Sequence, residues 1–171
     1  MVTSLAKRIL TKSRITGNFT LRSGLVSDTY FDKYQFESDP VLLRDIASAM
    51  ATLVPNEIEV LAGLEMGGIP VVTMLSQVTG LACAFVRKQP KEYGTCLYSE
   101  GASLLGRKIL LIEDVVSSGG AILNSVTMLR ADGIEVNQVL CVIDRETGGK
   151  ENLAAEGVEL LSLFKQHELL P

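Results

Sequence analysis

Short apolar runs alternate with amphipathic segments along most of the chain. The runs are rich in Val, Ile, Leu and Ala, and they lie at residues 57–62, 81–86, 108–112, 136–143 and 158–164. Runs of this length are typical of strands buried on both faces, and strands that alternate with helices form βαβ units. The pattern therefore predicts an α/β fold, in which a central parallel sheet is flanked by helices.

Helix signals fill the segments between these runs. Ser38 or Asp39 can cap a helix that has Pro40 in its first turn, and Gly80 and Gly133 are plausible helix stops. The predicted helices span approximately residues 4–13, 40–53, 69–78, 121–130 and 152–156.

The N-terminal part does not share this alternation. Residues 18–24 alternate and end in a turn signal, and residues 28–36 are the most aromatic stretch of a chain with only 5% aromatic residues. We predict a strand in each segment. Because these strands lie outside the βαβ pattern, we expect a small flap, or hood, formed mainly by residues 1–38 of a single domain that spans residues 1–171.

Composition and charge narrow the class of protein. The chain has 171 residues, of which 47% are hydrophobic, and its net charge of −4 argues against a nucleic-acid partner. No uninterrupted apolar segment could span a membrane, and no secretory signal is recognisable, so we expect a cytoplasmic protein, with an N-terminal transit peptide as the alternative. The three cysteines, Cys83, Cys96 and Cys141, lack metal-ligand spacing, and Cys83 and Cys141 lie in apolar runs, which favours buried free thiols over a metal site. His167, the single histidine, is interpreted as incidental to function.

The run at 108–112 leads into a polar stretch that predicts a ligand site. Glu113 and Asp114 stand where this strand is expected to end, and a small turn and a helix follow. Along this stretch the chain continues with Val115, Val116, Ser117, Ser118, Gly119, Gly120 and Ala121. Glycines let the backbone approach a ligand, and a helix start supplies free N–H groups that bind anions. A side chain in place of Gly119 is therefore expected to occupy the space of the anion.

The two carboxylates refine this prediction. Glu113 and Asp114 would repel a phosphate placed beside them, whereas they suit sugar hydroxyls or a metal ion. The expected ligand therefore has a phosphate at one end and a hydroxylated part nearby, as in a ribose phosphate. The alternative is an ordinary strand-to-helix turn with a solvated acidic pair. The stretch contains neither the P-loop pattern nor the glycine pattern of dinucleotide-binding turns.

Polar segments also follow other predicted strands. They contain Glu65, Met66 and Gly67 after the first strand, Arg87, Lys88, Lys91 and Tyr93 after the second, and Arg145 after the fourth. In parallel sheets, ligands bind beyond the carboxyl ends of the strands, so we expect these residues to gather at one edge with the phosphate loop. The segment from 87 to 106 has no clear period, and loops of this length are usually functional or disordered.

Together these segments resemble the orotate phosphoribosyltransferases, a family of type I phosphoribosyltransferases. Residues 109–121 resemble the family's signature for phosphoribosyl diphosphate (PRPP), and residues 87–94 its basic catalytic loop. Residues 21–24 and 30–32 resemble its N-terminal hood, and residues 144–146 the segment that binds the orotate carboxylate. The resemblance covers nearly the whole chain and implies the type I phosphoribosyltransferase fold.

The resemblance also implies a reaction. The ribose 5-phosphate group of PRPP is transferred to orotate, which gives orotidine 5′-monophosphate and diphosphate in pyrimidine biosynthesis. The family needs Mg²⁺, which is bound mainly through the diphosphate rather than through protein ligands. A homodimer with shared active sites is implied too, in which residues 87–95 reach the partner's site. A PRPP-binding regulator and a transferase for another base are the alternatives.

Each candidate residue takes a role from this resemblance. Those implied to be catalytic are Arg87, Lys88, Lys91 and Asp114. Those implied to bind PRPP are Arg22, Glu65, Met66, Gly67, Arg87, Lys88, Lys91, Tyr93, Glu113, Asp114, Val115, Val116, Ser117, Ser118, Gly119, Gly120 and Ala121. Those implied to bind orotate are Tyr30, Phe31, Ser117 and Arg145. The chain departs from the family at Arg22 and Gly67, where relatives often have Lys, and at Tyr93, where they usually have His.

Overall fold

The computed structural model describes residues 2–20, 24, 26–90 and 98–169. Helices within these residues are α1 (Val2–Ser13), α2 (Tyr34–Glu37), α3 (Pro40–Ala51), α4 (Gly68–Thr79), α5 (Gly120–Ala131), α6 (Gly149–Ala155) and α7 (Gln166–Leu169). Strands are β1 (Arg14–Thr20), β2 (Val26–Phe31), β3 (Val60–Leu64), β4 (Ala82–Val86), β5 (Ser99–Gly101), β6 (Ile109–Val116), β7 (Gln138–Asp144) and β8 (Glu159–Lys165). No helix within these ranges is long and apolar enough to cross a membrane.

A six-stranded sheet lies at the centre of the described residues, with the strand order β5-β4-β3-β6-β7-β8. The strands β4, β3, β6, β7 and β8 run parallel, and β5 is an antiparallel strand at the edge. Helices cover both faces of this sheet. The predicted α/β fold with a central parallel sheet and flanking helices is confirmed.

Strand β6 explains why the sequence shows unbroken apolar runs. Its Leu110 and Ile112 belong to the core on the side of α1, α3 and α4, whereas Ile109 and Leu111 belong to the core on the side of α5 and α6. Side chains alternate across a strand, so a strand covered on both faces needs apolar residues at consecutive positions.

The helix starts follow the predicted chemistry. Asp39 is the N-cap of α3, because its Oδ1 accepts hydrogen bonds from the backbone N–H groups of Val41 (3.2 Å) and Leu42 (3.0 Å). Pro40 occupies the first turn, where its missing N–H costs nothing. Gly80 ends α4 in the left-handed region, with φ at 75°.

The N-terminal segment forms a separate antiparallel pair, β1 and β2, in which Arg14 lies opposite Phe31. The strand predicted over 28–36 is wrong beyond Phe31, because α2 begins at Tyr34. Asp32 accepts hydrogen bonds from Tyr34 N (3.1 Å) and from Gln35 Nε2 (3.0 Å), which turns the chain out of the strand. The strand predicted over 18–24 begins earlier, as β1 at Arg14, and residues 21–23 of the predicted range lie outside the described residues.

Two further expectations about the central sheet are corrected. The polar segment before Gly106 contains β5, which was missed because a three-residue edge strand is too short to show a period. Strand β6 does not end at residue 112 but continues to Val116, since β7 runs beside it as far as the pair Val116–Asp144. Glu113 and Asp114 therefore lie within a strand, where backbone pairing fixes their positions.

Candidate active site at the carboxyl edge of the sheet

The loop between β6 and α5 has the features of an anion site. Ser117 and Ser118 are exposed, and α5 begins directly behind them at Gly120. The first N–H groups of a helix lack partners within it and attract negative charge. Asn152 of α6 donates a hydrogen bond from Nδ2 to the backbone oxygen of Ser118 (3.0 Å), which anchors the loop from behind.

Gly119 is required by the backbone conformation of the loop and by its packing against α6. It is buried with φ at 78°, in the left-handed region where a residue with a side chain is strained. A Cβ atom there would approach Leu153 Cγ at 3.3 Å and Gly149 O at 3.4 Å. The side chain would point at α6 rather than into the open side of the loop, so the expectation that it would occupy the anion's space is wrong.

Asp114 is fully buried, and a lysine from the N-terminal segment neutralises it. Lys33 Nζ lies 2.6 Å from Asp114 Oδ2, and Asp114 Oδ1 accepts a hydrogen bond from Val115 N (2.6 Å). Glu37 is buried beside this pair, and no described N–H or O–H group donates a hydrogen bond to either of its carboxyl oxygens. Glu113 is only half-buried, and its Oε1 accepts a hydrogen bond from Asp114 N (3.0 Å).

The three carboxyl groups share one lysine, and their pKa values separate accordingly. Burial, reinforced by Asp114, raises the pKa of Glu37 to about 9 and raises the pKa of Glu113 well above its usual range. Burial alone would raise the pKa of Asp114 too, but its hydrogen bonds and the charge of Lys33 lower it. Burial opposes the charge of Lys33, yet Asp114 raises the pKa of that amine. Asp114 is therefore the carboxylate that stays ionised.

Sequence reasoning missed Lys33 and Glu37. They stand four positions apart inside the aromatic segment, where a strand was predicted. On a strand, residues four apart share a face but lie roughly 13 Å apart, whereas on a turn followed by a helix the same spacing can place both side chains at one point. An unexplained charged pair in an aromatic stretch was the available signal.

The loop after β3 adjoins both the carboxylates and the basic segment. A Cβ atom at Gly67 would overlap Asp114 Oδ2, so only glycine fits while Asp114 is paired with Lys33. Glu65 Oε1 accepts a hydrogen bond from the backbone N–H of Lys88 (2.5 Å), which links this loop to the end of β4. Met66 is exposed.

Two residues of the predicted basic loop, Arg87 and Lys88, are described by the structure and lie at the end of β4. Arg87 donates its backbone N–H to Tyr98 O (2.9 Å), and its Nε lies 4.0 Å from Glu100 Oε1. Lys88 is exposed. Three predicted site residues lie outside the described residues, namely Arg22, Lys91 and Tyr93.

A cavity of about 240 Å³ opens between the N-terminal segment and the ends of β6 and β7. Its lining combines apolar and polar side chains, and the described residues in it are Leu10, Arg14, Thr29, Tyr30, Phe31, Val115, Ile143, Arg145, Gln166 and Leu169. This lining contains two arginines and, among the described residues, no carboxylate, so it suits an anion with an apolar body.

The cavity brings together three of the residues predicted to bind orotate, Tyr30, Phe31 and Arg145, whereas Ser117 is not in its lining. Arg14 and Gln166 also line it and were not predicted. Arg14 occupies the first position of β1, opposite Phe31, and nothing in the local sequence marks it. Gln166 reaches the cavity because α7 folds back against this edge, which no sequence period indicates.

In the parts of the chain that the structure describes, no three His, Cys, Asp or Glu side chains form a group that could hold a metal ion. Asp114, the carboxylate that stays ionised, is already paired with Lys33.

At one edge of a mixed sheet lie the loop between β6 and α5, the carboxylates of β6 and the basic segment after β4. A family model identifies the class of protein that has this arrangement. The phosphoribosyl transferase domain family matches residues 34–161, which is well over half of the chain. This protein is a phosphoribosyltransferase enzyme.

Individual relatives specify the family further. The chain is 47% identical over 166 residues to an orotate phosphoribosyltransferase of Nocardioides sp., covering 97% of this chain and 93% of the relative. It is 44% identical to an orotate phosphoribosyltransferase of Methanocella arvoryzae, over 90% of this chain and 88% of the relative. The chain belongs to the orotate phosphoribosyltransferase family.

Solved structures agree with this assignment. Orotate phosphoribosyltransferase of Mycobacterium tuberculosis, solved in complex with Fe(III) dicitrate, superimposes with a TM-score of 0.90 at 29% identity and 99% coverage of both chains. The same enzyme in complex with PRPP superimposes with a TM-score of 0.84 at 27% identity and 98% coverage of both chains.

Proposed function

We propose that this protein transfers the ribose 5-phosphate group of PRPP to the base orotate and releases diphosphate. The observation that carries the proposal is the cavity with two arginines and no described carboxylate, which adjoins β6 as it enters the phosphate loop. Orotate is a planar ring with one carboxylate, which matches this lining. The names of the relatives and the PRPP complex of the Mycobacterium tuberculosis enzyme support the same pair of substrates.

Each half of PRPP has a matching part of the site. The exposed hydroxyls of Ser117 and Ser118 and the first turn of α5, from Gly120, are placed to hold the 5′-phosphate. Glu113 and Asp114 would accept hydrogen bonds from the ribose hydroxyls. Since Lys33 covers Asp114, we expect ribose binding to displace that lysine from Oδ2.

The reaction needs charge stabilisation rather than a covalent nucleophile. The bond from the anomeric carbon to the diphosphate oxygen breaks, and its electron pair leaves with the diphosphate. A ring nitrogen of orotate bonds to that carbon, and the N–H proton of this nitrogen is released to the diphosphate or to water. Positive charge develops on the ribose and negative charge on the leaving diphosphate. Arg87 and Lys88, joined by Lys91, would neutralise the diphosphate, and Glu65 holds the backbone of Lys88 in place. Mg²⁺, bound mainly through the diphosphate oxygens, would stabilise the same charge.

Orotate would lie in the cavity with its carboxylate at Arg145. Arginine binds a carboxylate through two parallel hydrogen bonds, and Tyr30 and Phe31 offer apolar ring faces to the base. Replacing Arg145 with alanine should raise the KM for orotate about 30-fold or more, within the range for losing a buried charge pair, and change the KM for PRPP little. Equal weakening of both substrates would assign Arg145 a general structural role.

Assembly and location are part of the same proposal. We expect a homodimer, because the family resemblance implies active sites shared between two chains. A cytoplasmic location is consistent with the free thiols of Cys83 and Cys141, the two described cysteines.

An assay of base consumption tests the proposal. The protein would be mixed with PRPP, Mg²⁺ and either orotate, uracil or adenine, and the nucleotide products separated by chromatography. We expect orotidine 5′-monophosphate and diphosphate in equal amounts. Calorimetric binding of PRPP without turnover would favour a regulator, and turnover of another base alone would assign a different transferase.

A further inference from the structure

The C-terminal helix α7 contacts the segment that carries Arg145. Arg145 Nε donates a hydrogen bond to Gln166 Oε1 (3.2 Å). The next residue, His167, donates its backbone N–H to Glu146 Oε2 (3.2 Å), and its Nδ1 lies 2.8 Å from the same oxygen. Two consecutive residues of α7 therefore hold two consecutive residues after β7.

Glu146 has an unusual backbone conformation that these contacts maintain. Among the residues that the structure describes, it is the only non-glycine residue with a positive φ, at 55°. Its backbone N–H donates to Asp144 Oδ1 (2.8 Å), and its side chain is held by His167. Such a conformation is unfavourable for a residue with a side chain and persists where the surroundings fix it.

The helix that supplies these contacts is itself anchored. Lys165 donates its backbone N–H to Glu168 Oε2 (2.6 Å) at the start of α7, and Leu169 is buried in the core. On the other side, Arg145 donates its backbone N–H to Val116 O (2.8 Å), which joins it to β6. Gln166 and His167 are therefore fixed points rather than a free tail.

The contact with Gln166 leaves the carboxylate-binding part of Arg145 available. A guanidinium group has five N–H donors, of which one is on Nε and four are on the terminal nitrogens. Gln166 accepts from Nε, so the two terminal nitrogens can still bind both oxygens of a carboxylate. Gln166 also lines the cavity, so its amide fixes the plane of the guanidinium at the wall where the base would bind.

We propose that Gln166 and His167 are positioning residues that set the selectivity of this site for a carboxylated base. Gln166 acts directly on the Arg145 side chain, and His167 acts through Glu146 on the backbone beside it. The inference rests on the proposed function, because it takes the cavity as the site of the base. It gives a role to the single histidine, which was interpreted from the sequence as incidental to function.

Product binding isolates this effect from turnover. Orotidine 5′-monophosphate and uridine 5′-monophosphate differ only in the carboxylate, so the ratio of their Kd values reports how well Arg145 is positioned. Gln166→Met keeps the side-chain volume but removes the acceptor. We expect it to reduce the preference for orotidine 5′-monophosphate about threefold to tenfold, as for one net hydrogen bond, with little change in uridine 5′-monophosphate binding.

A matched control and a rescue separate positioning from general damage. Gln138→Met removes a similar amide at the start of β7, which donates a hydrogen bond to Glu159 of β8. This substitution should leave the Kd ratio unchanged. His167→Ala should lower the ratio in the same direction as Gln166→Met. His167→Asn, whose amide nitrogen can replace Nδ1, should restore most of it.

The outcomes distinguish this inference from the proposed function. If the unchanged protein converts orotate but Gln166→Met and His167→Ala keep its Kd ratio, the positioning role is overturned. Proportional weakening of both nucleotides would also overturn it and indicate a structural role. If the unchanged protein neither converts orotate nor prefers orotidine 5′-monophosphate, the proposed function itself fails.

Discussion

At the scale of single residues, Lys33 is the cation that compensates the buried negative charge at the candidate site. It lies against a fully buried carboxylate, Asp114, that has two further carboxyl groups beside it. Lys33→Met would leave the charge of Asp114 buried without a partner. We expect a loss of about 2–4 kcal/mol in the free energy of unfolding, below the full range for a buried pair because a third of the Lys33 side chain is exposed.

A second substitution tests whether that loss comes from the charge. Lys33→Met combined with Asp114→Asn removes both partners, so no buried charge is stranded. Urea unfolding of the two single variants and the double variant forms a cycle, and the double variant should lose clearly less than the sum. Additive losses would mean that Lys33 stabilises the fold by packing alone.

Glu37 should make stability fall as pH rises. Its pKa is about 9 in the folded protein against 4.5 ordinarily, so between these values the folded state binds a proton that the unfolded state has released. Stability therefore decreases with pH across this window. Glu37→Gln imitates the protonated acid, so the variant should melt at least about 2–4 °C above the unchanged protein at pH 8.5, the shift that about 1 kcal/mol gives at this size.

The pH dependence of this variant is the sharper readout. The pKa of Glu113 is also raised, so Glu113 still makes stability decrease with pH in this variant. The difference in Tm between pH 6 and pH 8.5 should therefore shrink rather than vanish. Glu57→Gln, on an exposed loop, is the control and should keep the full difference. An unchanged slope in Glu37→Gln would show that Glu37 is ionised in the folded protein.

At the scale of secondary structure elements, the sequence was informative where an element is buried and long. The five parallel strands carry consecutive apolar residues because both faces are covered, and Asp39 with Pro40 marks the start of α3. The missed elements are β5, α2 and α7, which have three or four residues each. Elements this short are fixed by contacts with distant residues, and no local period can reveal them.

The residues of the candidate site also fall into those that could be predicted from the sequence and those that could not. Residues near the carboxyl ends of long strands or directly after them, such as Glu113, Ser117 and Arg145, could be predicted because topology brings strand ends to one edge. Lys33 and Gln166 could not, because each reaches the edge through a short element whose position depends on tertiary packing.

The phosphate loop offers a matched pair of glycines. Gly119→Ala should destabilise the protein by about 1–2 kcal/mol, because φ at 78° is unfavourable with a side chain and its Cβ would press on α6. At Gly120 a Cβ would have only Ser118 Oγ nearby, at 3.8 Å, so Gly120→Ala should cost much less stability. Melting temperatures of both variants test this, and equal losses would contradict it.

At the scale of the whole molecule, the expected homodimer makes a claim about which chain completes which site. Lys88 donates its backbone N–H to Glu65 of its own chain, so the basic segment leaves β4 beside its own phosphate and carboxylate loops. Any crossing to a partner has to begin after this point. This contact changes the expectation that residues 87–95 as a whole reach the partner's site: we now expect Lys91 to act across the interface and Lys88 to act within its own chain.

Mixed dimers test this claim. If Lys91 serves the partner's site, a dimer of one Lys91→Ala chain and one Asp114→Asn chain has one site with both defects and one with neither. After subunit exchange at equal amounts, about a quarter of all sites should be intact, so activity should rise to about that fraction of the unchanged protein. Lys88→Ala mixed with Asp114→Asn is the matched control and should show no rise. If Lys88→Ala complements instead, the chain crosses to the partner before the contact between Lys88 and Glu65. If neither mixture shows a rise although heterodimers are verified, each active site belongs to a single chain.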